Sequence, residues 1–281
     1  MKPRYLSSLA AVGFGALFFG PSPALAQPYL GPTLSPFAVL AGSTVTCTGP
    51  GTITGNVGLQ PGTSVTGFPP CLITPPGALH VADAVALQAQ TELTTAFTDL
   101  GPVLPCTQDL TGTNLGGLTL TPGVYCFSTS AQLTGVLTLD SLGNPNASWV
   151  FRTGSTLTTA SGSSVVFTGG NPCAAQWRIG SSATLGTTTA FQGNILAQDS
   201  ITLNTGASLV GRALARTGAV TLDGNNITNL SACAAAPAPP PFPGPAPVPT
   251  LPQIGAWLLL LVLLGIGAYA LSRRTPTEAS R

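Results

Sequence analysis

The chain of 281 residues has few charged side chains, 6% of the total, and a formal net charge of +1. Soluble domains average about 25% charged residues, so this chain draws its polarity mainly from uncharged groups. The lack of a basic patch excludes nucleic acid as an expected partner. The hydrophobic fraction of 44% excludes a disordered chain, because it is large enough to form a buried core.

The first 26 residues have the three parts of a secretory signal peptide. Two cationic residues precede an apolar stretch, and Ala24-Leu25-Ala26 forms a small-residue cleavage site. A membrane anchor is the alternative, but the apolar stretch is short for one. We therefore expect residues 1–26 to direct export and residues 27–233 to form the exported domain.

All six cysteines lie in this exported part, namely Cys47, Cys71, Cys106, Cys126, Cys173 and Cys233. An even number in an oxidising compartment predicts up to three disulfides. Metal binding is the alternative, and it is disfavoured because no two cysteines are two to four residues apart. Sequence alone leaves about 15 pairings open. Nearness in the chain and the expected ends of the domain favour Cys47–Cys71, Cys106–Cys126 and Cys173–Cys233.

One long helix is predicted over about residues 79–100. Its apolar residues recur at roughly helical spacing, and Gly101 and Pro102 end the pattern. The expected apolar side consists of Val81, Val85, Leu93, Phe97 and Leu100.

Short alternating strands recur after the helix. Residues 183–200 and 201–218 read alike at an offset of 18. A first set of strands is predicted at Ala131–Leu133, Ser155–Leu157, Ala183–Leu185, Ile201–Leu203 and Val220–Leu222. A second set is predicted at Leu118–Leu120, Leu137–Leu139, Val165–Phe167, Thr189–Phe191 and Ser208–Val210. A third set is predicted at Tyr125–Phe127, Trp149–Phe151, Trp177–Ile179, Ile195–Ala197 and Ala213–Ala215.

Three short strands per repeat predict a mainly β fold, a right-handed irregular three-faced β-helix (a solenoid). A β-sandwich also has short alternating strands, but it does not explain a fixed period. The third face is apolar on its outer side at Val150, Leu196 and Leu214, so we expect the long α-helix to pack along it.

The other two faces carry hydroxyl side chains outward. The first face has the more continuous candidate row, Thr156, Thr184, Thr202 and Thr221. The second face has the row Thr138, Ser164, Thr188 and Ser208, flanked by Val166 and Ala190. Because coils stack about 4.8 Å apart, either row would form a straight array of hydroxyl and methyl groups. The high strand propensity of threonine is the alternative explanation of both rows.

The C-terminal region has three further segments. Residues 234–252 are rich in proline, which predicts an extended spacer. Residues 254–271 are uncharged and about long enough to span a bilayer, and the basic tail 272–281 is expected in the cytoplasm. With the motif Val248-Pro249-Thr250-Leu251, this order resembles bacterial C-terminal sorting signals of the Ile-Pro-Thr-Leu class. The resemblance implies an exosortase-type processing enzyme as a partner and removal of the tail; a permanent membrane anchor is the alternative.

The exported part resembles the β-solenoid type of microbial ice-binding protein over about residues 30–231. The stretches that carry the resemblance are "SPFAVLAGSTVTCTGPGTITGNVGLQPGTSVTGFPP" (35–70), "HVADAVALQAQTELTTAFTDL" (80–100), "LGGLTLTPGVYCFSTSAQLTGVLTLD" (115–140), "GSTLTTASGSSVVF" (154–167) and residues 183–218. The resemblance implies an irregular three-faced β-helix beside a long helix, and adsorption to an ice crystal surface that slows ice growth and recrystallisation. Some members carry a Thr-Ala/Gly-x-Thr/Asn motif, which residues 153–156 and 168–171 match and residues 205–208 nearly match.

An enzyme is the rival class. Many β-helix proteins cleave acidic polysaccharides with clustered carboxylates, whereas the acidic residues here are scattered. The single histidine, His80, is expected to cap or pack the helix. Asp199 and Asp223 are expected to form structural ion pairs with Arg212 and Arg216. We therefore expect no catalysis, cofactor or metal. A cell-surface adhesin or structural protein that binds a partner or polysaccharide through the same face is a further alternative.

Overall fold

The computed structural model describes residues 29–230, which lie in the unit Met1–Ala236. The predicted signal peptide, spacer, sorting motif, segment 254–271 and tail lie outside this range. Within it, no helix is both long enough and apolar enough to cross a bilayer.

The helix α1 spans Ala84–Asp99, and a short 3-10 helix spans Pro172–Ala174. The strands are β1 Phe37–Ala41, β2 Thr44–Thr48, β3 Thr52–Thr54, β4 Asn56–Leu59, β5 Ser64–Thr66, β6 Leu72–Thr74, β7 Leu79–Val81, β8 Gln108–Asp109, β9 Thr119–Leu120, β10 Gly123–Phe127, β11 Ala131–Leu133, β12 Val136–Asp140, β13 Trp149–Thr153, β14 Leu157–Thr159, β15 Ser164–Thr168, β16 Ala175–Ile179, β17 Ala183–Leu185, β18 Ala190–Ala197, β19 Ile201–Leu203, β20 Ser208–Ala215, β21 Val220–Asp223 and β22 Asn226–Thr228. The prediction of a mainly β fold with one long helix is confirmed.

The strands form three ladders of parallel pairs, and one passage of the chain through the ladders is called a coil below. The first ladder runs β11–β14–β17–β19–β21–β2–β5. The second runs β9–β12–β15–β18–β20–β22–β3–β6. The third runs β8–β10–β13–β16–β18–β20–β1–β4–β7.

Strands β18 and β20 belong to both the second and the third ladder because each bends at a glycine. Gly193 and Gly211 have φ values of +121° and +144°, which L side chains rarely adopt. A Cβ on Gly211 would lie 2.0 Å from the carbonyl oxygen of Gly193. Glycine at both positions therefore allows successive coils to turn this corner in register.

The coils do not stack in the order of the sequence. Strands β1, β2 and β3 pair with β20, β21 and β22, so the N-terminal coils stack on the last ones. Strands β5 to β7 are at one end of the stack, and β8, β9 and β11 are at the other. Between β7 and β8 the chain runs through α1, which connects the two ends.

Inward side chains fill the interior between the ladders. Tyr125 stacks on Phe151 and Phe151 on Trp177, with ring centroids 5.5 and 3.8 Å apart. Phe191 continues the column 4.9 Å from Trp177. These rings come from successive coils, so one aromatic column crosses several coils and resists changes in their spacing.

Helix α1 covers the third ladder, as the sequence predicts. Its buried residues pack against Val150, Leu196 and Leu214. The buried side consists of three alanines, Ala86, Ala89 and Ala96, together with the larger Leu93, Phe97 and Leu100.

Two details of the predicted helix are wrong. The helix begins at Ala84 rather than near residue 79, because residues 79–81 pair with β4 as strand β7. Val81 therefore belongs to a strand. Val85 is 39% exposed and lies outside the buried side, whereas Leu93, Phe97 and Leu100 are buried as predicted.

Arginine side chains from the third ladder bind the carboxyl end of α1. The Arg178 Nε donates a hydrogen bond to the Phe97 carbonyl at 3.0 Å, and its guanidinium lies 4.1 Å from the centre of the Phe97 ring. The Arg152 Nη1 donates to the carbonyls of Gly101 and Leu104 at 2.6 and 3.0 Å. Cations at this end are favourable because the helix dipole is negative there.

The expected ion pairs of Arg212 and Arg216 with Asp199 and Asp223 are not formed. Arg212 is fully buried, and its Nε and Nη2 donate to the Ser35 carbonyl at 3.0 and 2.7 Å. Burial lowers its pKa to about 10, so it stays cationic at neutral pH. Arg216 donates to Gln198. Both arginines come from the third-ladder side, whereas Asp223 ends a strand of the first ladder.

Two predicted disulfides are confirmed, Cys47–Cys71 and Cys106–Cys126. They join neighbouring coils at the two ends of the stack. Cys173 is also disulfide-bonded; its predicted partner, Cys233, lies outside the described residues, so that pairing stays a prediction.

Asp83 caps the amino end of α1, and its removal should weaken the fold. Its Oδ1 accepts from the Ala86 amide at 2.8 Å, and its Oδ2 lies 2.8 Å from His80 Nδ1. Asp83→Ala should lower the free energy of unfolding by about 1 kcal/mol. Asp83→Ser should retain most of the stabilisation by the cap, because serine is also a good N-cap residue. Denaturant unfolding at neutral pH measures this. Asp99→Ala, at the other end of the helix, is the control and should cost nothing.

The same cap should depend on pH. The hydrogen bond from Ala86, followed by that from His80, lowers the pKa of Asp83 below 3.8. A carboxylate with a lowered folded pKa stabilises the fold above its unfolded pKa and loses this effect as the pH falls through the folded pKa. The difference between wild type and Asp83→Ala should therefore vanish in strong acid. A difference that is constant with pH would contradict this role.

The two disulfides should differ in their rate of reduction. Cys106 is exposed, whereas Cys47 and Cys71 are 3% and 2% exposed. Thiol–disulfide exchange needs access to a sulfur. Brief treatment with dithiothreitol, followed by alkylation and peptide mass mapping, should label Cys106 and Cys126 first. Simultaneous labelling of all four cysteines would contradict the expectation.

Candidate functional site

The first ladder presents one central row of side chains. Most of its short strands place a buried residue on either side of an outward one, as at β17 and β19. The Cα partners put these outward residues level with one another from coil to coil. The row consists of Gln132, Thr158, Thr184, Thr202, Thr221, Thr46 and Thr66.

The structure corrects the predicted row at Thr156. Thr158, not Thr156, is level with Thr184. Thr156 lies one outward position earlier, where its Oγ1 donates to Ser130 Oγ at 2.8 Å. Thr184, Thr202 and Thr221 are level, as predicted.

Thr46 and Thr66 extend the row on the other side of Thr221. The alternation in "TVTCT", residues 44–48, is the sequence signal for Thr46. It was missed because β2 lies far from β21 in the chain and no sequence period connects them.

Four hydroxyls of the central row are open to solvent. Thr158, Thr184, Thr202 and Thr221 donate no side-chain hydrogen bond to any atom of residues 29–230, and each is half-buried or exposed. Threonine is also stiff, because its branched Cβ restricts χ1. These four threonines therefore form an ordered array of hydroxyl and methyl groups with free hydrogen-bonding capacity, whereas Thr66 Oγ1 donates to Thr46 Oγ1 at 3.5 Å.

A second row of the same ladder uses its hydroxyls internally. The Ser200 amide donates to Ser182 Oγ at 3.3 Å, and the Ala219 amide donates to Ser200 Oγ at 3.1 Å. With the Thr156–Ser130 contact, these bonds connect consecutive coils at the corner that precedes the first ladder. They hold the central row in place.

The predicted row of the second ladder is not continuous. Ser164 and Ser208 are level, but Ala190 lies between them. Thr138 is level with Val166. Thr188 lies in a turn with φ +54°, and its hydroxyl donates to the Thr187 carbonyl. The outward positions of this ladder mix hydroxyl, amide and apolar side chains, as in the level series Ser164, Ala190, Ser208 and Asn226.

The three Thr-Gly motifs lie mainly at corners. Thr153 is buried and donates to the Ser155 carbonyl at 3.0 Å. Asn171 caps the short 3-10 helix by accepting from the Cys173 amide at 2.9 Å. Residues 205–208 connect the first ladder to the second. The motif letters therefore do not identify the central row.

His80 has a structural role at the start of α1. It pairs with Asp83 and its ring lies 5.5 Å from that of Phe37. Over residues 29–230, no group of three His, Cys, Asp or Glu side chains is placed to hold a metal ion. The outward side chains of the first-ladder strands, by contrast, are nearly uncharged and rich in hydroxyl groups.

Known proteins share this architecture. An ice-binding protein from Nostoc sp. (strain HG1) is 55% identical over 227 residues, or 80% of this chain and 82% of that protein. The crystal structure of an ice binding protein from an Antarctic biological consortium matches with a TM-score of 0.67 and 46% identity, over 70% of this chain and 88% of that one. That from the ascomycete Antarctomyces psychrotrophicus matches with a TM-score of 0.68 and 41% identity, over 71% and 97%.

The fold and its surface define a parallel β protein of stacked coils with a helix alongside. The sequence profile of the family described as ice-binding-like matches residues 39–228. The chain belongs to this family. The relatives above are named for ice binding rather than for an enzymatic activity.

Proposed function

We propose that the protein binds ice through the first ladder and thereby slows ice growth or recrystallisation. The observation that carries the proposal is the row of six level threonines, four of which have hydroxyls without a side-chain partner in residues 29–230. We further infer that the coils form a right-handed three-faced solenoid with α1 along the third face. Family membership supports both inferences.

The chemistry of the row suits an ordered water surface. Successive threonines repeat at the spacing of parallel strands, about 4.8 Å. Their hydroxyls can hold water at regular positions, while their methyl groups favour leaving bulk water. Long, strongly hydrated side chains would disturb such an array, and the exported part contains no lysine. A molecule adsorbed in this way blocks the addition of water to the crystal beneath it.

Rigidity makes the surface effective, because binding then costs little conformational entropy. The aromatic column and the bonds between corner serines fix the coils from inside and from the edge. Disulfides fasten the coils at both ends. The array is therefore in place before ice is met.

A bulky side chain in the central row should abolish ice shaping. Thr202→Tyr projects a ring from the flat surface and prevents close contact. Exposed substitutions usually change stability by only about 0.5 kcal/mol, so the melting curve should be unchanged. Thr184→Tyr and Thr158→Tyr should behave alike. The measurements are thermal hysteresis, crystal shape and recrystallisation rate.

Matched variants locate the face. Ser208→Tyr makes a similar change on the second ladder and should retain activity, and Thr156→Tyr should lose less than Thr158→Tyr. Full activity of Thr202→Tyr together with loss in Ser208→Tyr would move the site to the second ladder. Full activity in every variant would refute ice binding by either ladder.

We also propose that the chain is exported and then processed at its C-terminus, so that it reaches the cell envelope or surface or is secreted. The order of spacer, Val248-Pro249-Thr250-Leu251, apolar segment 254–271 and basic tail supports an exosortase-type enzyme as partner. Before processing, residues 254–271 would hold the chain in the membrane.

Intact mass tests the two processing steps. In a bacterial host with an exosortase-type enzyme, the product should begin at Gln27 and lack residues 254–281. A variant with both Pro249 and Thr250 replaced by alanine should keep the C-terminal segment. A product that keeps this segment in both forms would indicate a permanent anchor.

A further inference from the structure

Asp223 is an exception on the first ladder. It ends β21 and points outward beside Thr221, the adjacent outward residue of the same strand. Among the outward side chains of the first-ladder strands within residues 29–230, it is the one charged group. Its level partner on the next coil is Thr48. A carboxylate therefore lies at the edge of the central row.

Two threonine hydroxyls are committed to this carboxylate. Thr48 Oγ1 donates to Asp223 Oδ1 at 3.0 Å, and Thr205 Oγ1 donates to Oδ2. Thr205 and Thr48 lie on the coils on either side of Asp223. The carboxylate thus takes the hydroxyl protons of one threonine on each of the two neighbouring coils, which can then no longer donate to water in a crystal. Hydrogen bonds from Thr205 and Thr48 also lower the pKa of Asp223 below 3.8, which keeps it ionised at neutral pH.

We propose that Asp223 is a specificity-determining residue that limits the ice contact of the first ladder. The inference rests on the proposed ice-binding function. An ionised carboxylate orders water around its charge, and removing that hydration is costly. Ice that adsorbs on Thr158, Thr184 and Thr202 must therefore accommodate or avoid the hydrated group beside Thr221. Neutralising Asp223 should extend the usable surface toward Thr46 and Thr66.

The direct test is Asp223→Asn in the full exported domain. Asparagine is nearly isosteric and keeps one oxygen to accept from Thr48 or Thr205, so the fold should be kept. Thermal hysteresis at equal concentration should rise above wild type. Asp140→Asn is the matched control, because Asp140 also points outward at the end of a strand, but on the second ladder. It removes the same charge and should leave hysteresis unchanged.

Acid titration of the wild type gives a second readout that needs no variant. Protonation makes the carboxyl neutral, so hysteresis should rise as the pH falls through the lowered pKa of Asp223, below 3.8. The Asp223→Asn variant should lack this rise, and circular dichroism at each pH confirms that the fold persists. The assay thus separates the charge on this residue from a general effect of acid.

Unchanged or reduced hysteresis in Asp223→Asn, or an equal rise in Asp140→Asn, would overturn the inference. Thr202→Tyr in the same assay separates the role of Asp223 from the role of the first ladder in ice binding. Loss of activity in Thr202→Tyr with no gain in Asp223→Asn would leave ice binding by the first ladder intact and remove only the role of Asp223. Full activity in Thr202→Tyr would remove the proposed face itself.

Discussion

Parallel backbone hydrogen bonding between coils is the constraint on which the rest of the structure depends. It holds each strand level with the next, so that one outward residue per coil becomes part of a straight row. The pairing of Thr184 with Thr202, and of Thr202 with Thr221, follows from it directly. The same pairing places the inward rings of Phe151 and Trp177 in contact. Surface order and core packing are thus two results of one register.

A stack of this kind leaves one apolar side that must be covered. Leu196 and Leu214 point outward on the third ladder, and α1 supplies the cover with alanine, leucine and phenylalanine side chains. Arg178 and Arg152 then bind carbonyls at the carboxyl end of the helix. Because backbone carbonyls accept their hydrogen bonds, these two arginines need no carboxylate partner. A domain with few acidic residues can therefore hold partly buried guanidinium groups.

Local patterns predicted much of this structure, and long-range register is where they failed. Alternation identified the short strands, and nearness in the chain identified two disulfides. Thr156 was placed in the central row because a slip of two residues preserves the alternation of inward and outward side chains. Coils also differ in length, since Thr156 follows Ser130 by 26 residues whereas Ser200 follows Ser182 by 18. The pairing of β2 with β21 leaves no local signal at all.

The stacking of β1, β2 and β3 on β20, β21 and β22 also determines when this domain can become complete. Synthesis delivers the chain from its N-terminus, so the first coils are made long before their partners. Until its partner among β20, β21 and β22 has been made, each of those strands has a free edge. Contacts between such distant segments form slowly, because the chain must lose the entropy of closing a long loop before the contacts stabilise it. A nascent chain of this protein therefore spends most of its elongation with open sheet edges, and the arrival of β20, β21 and β22 removes them.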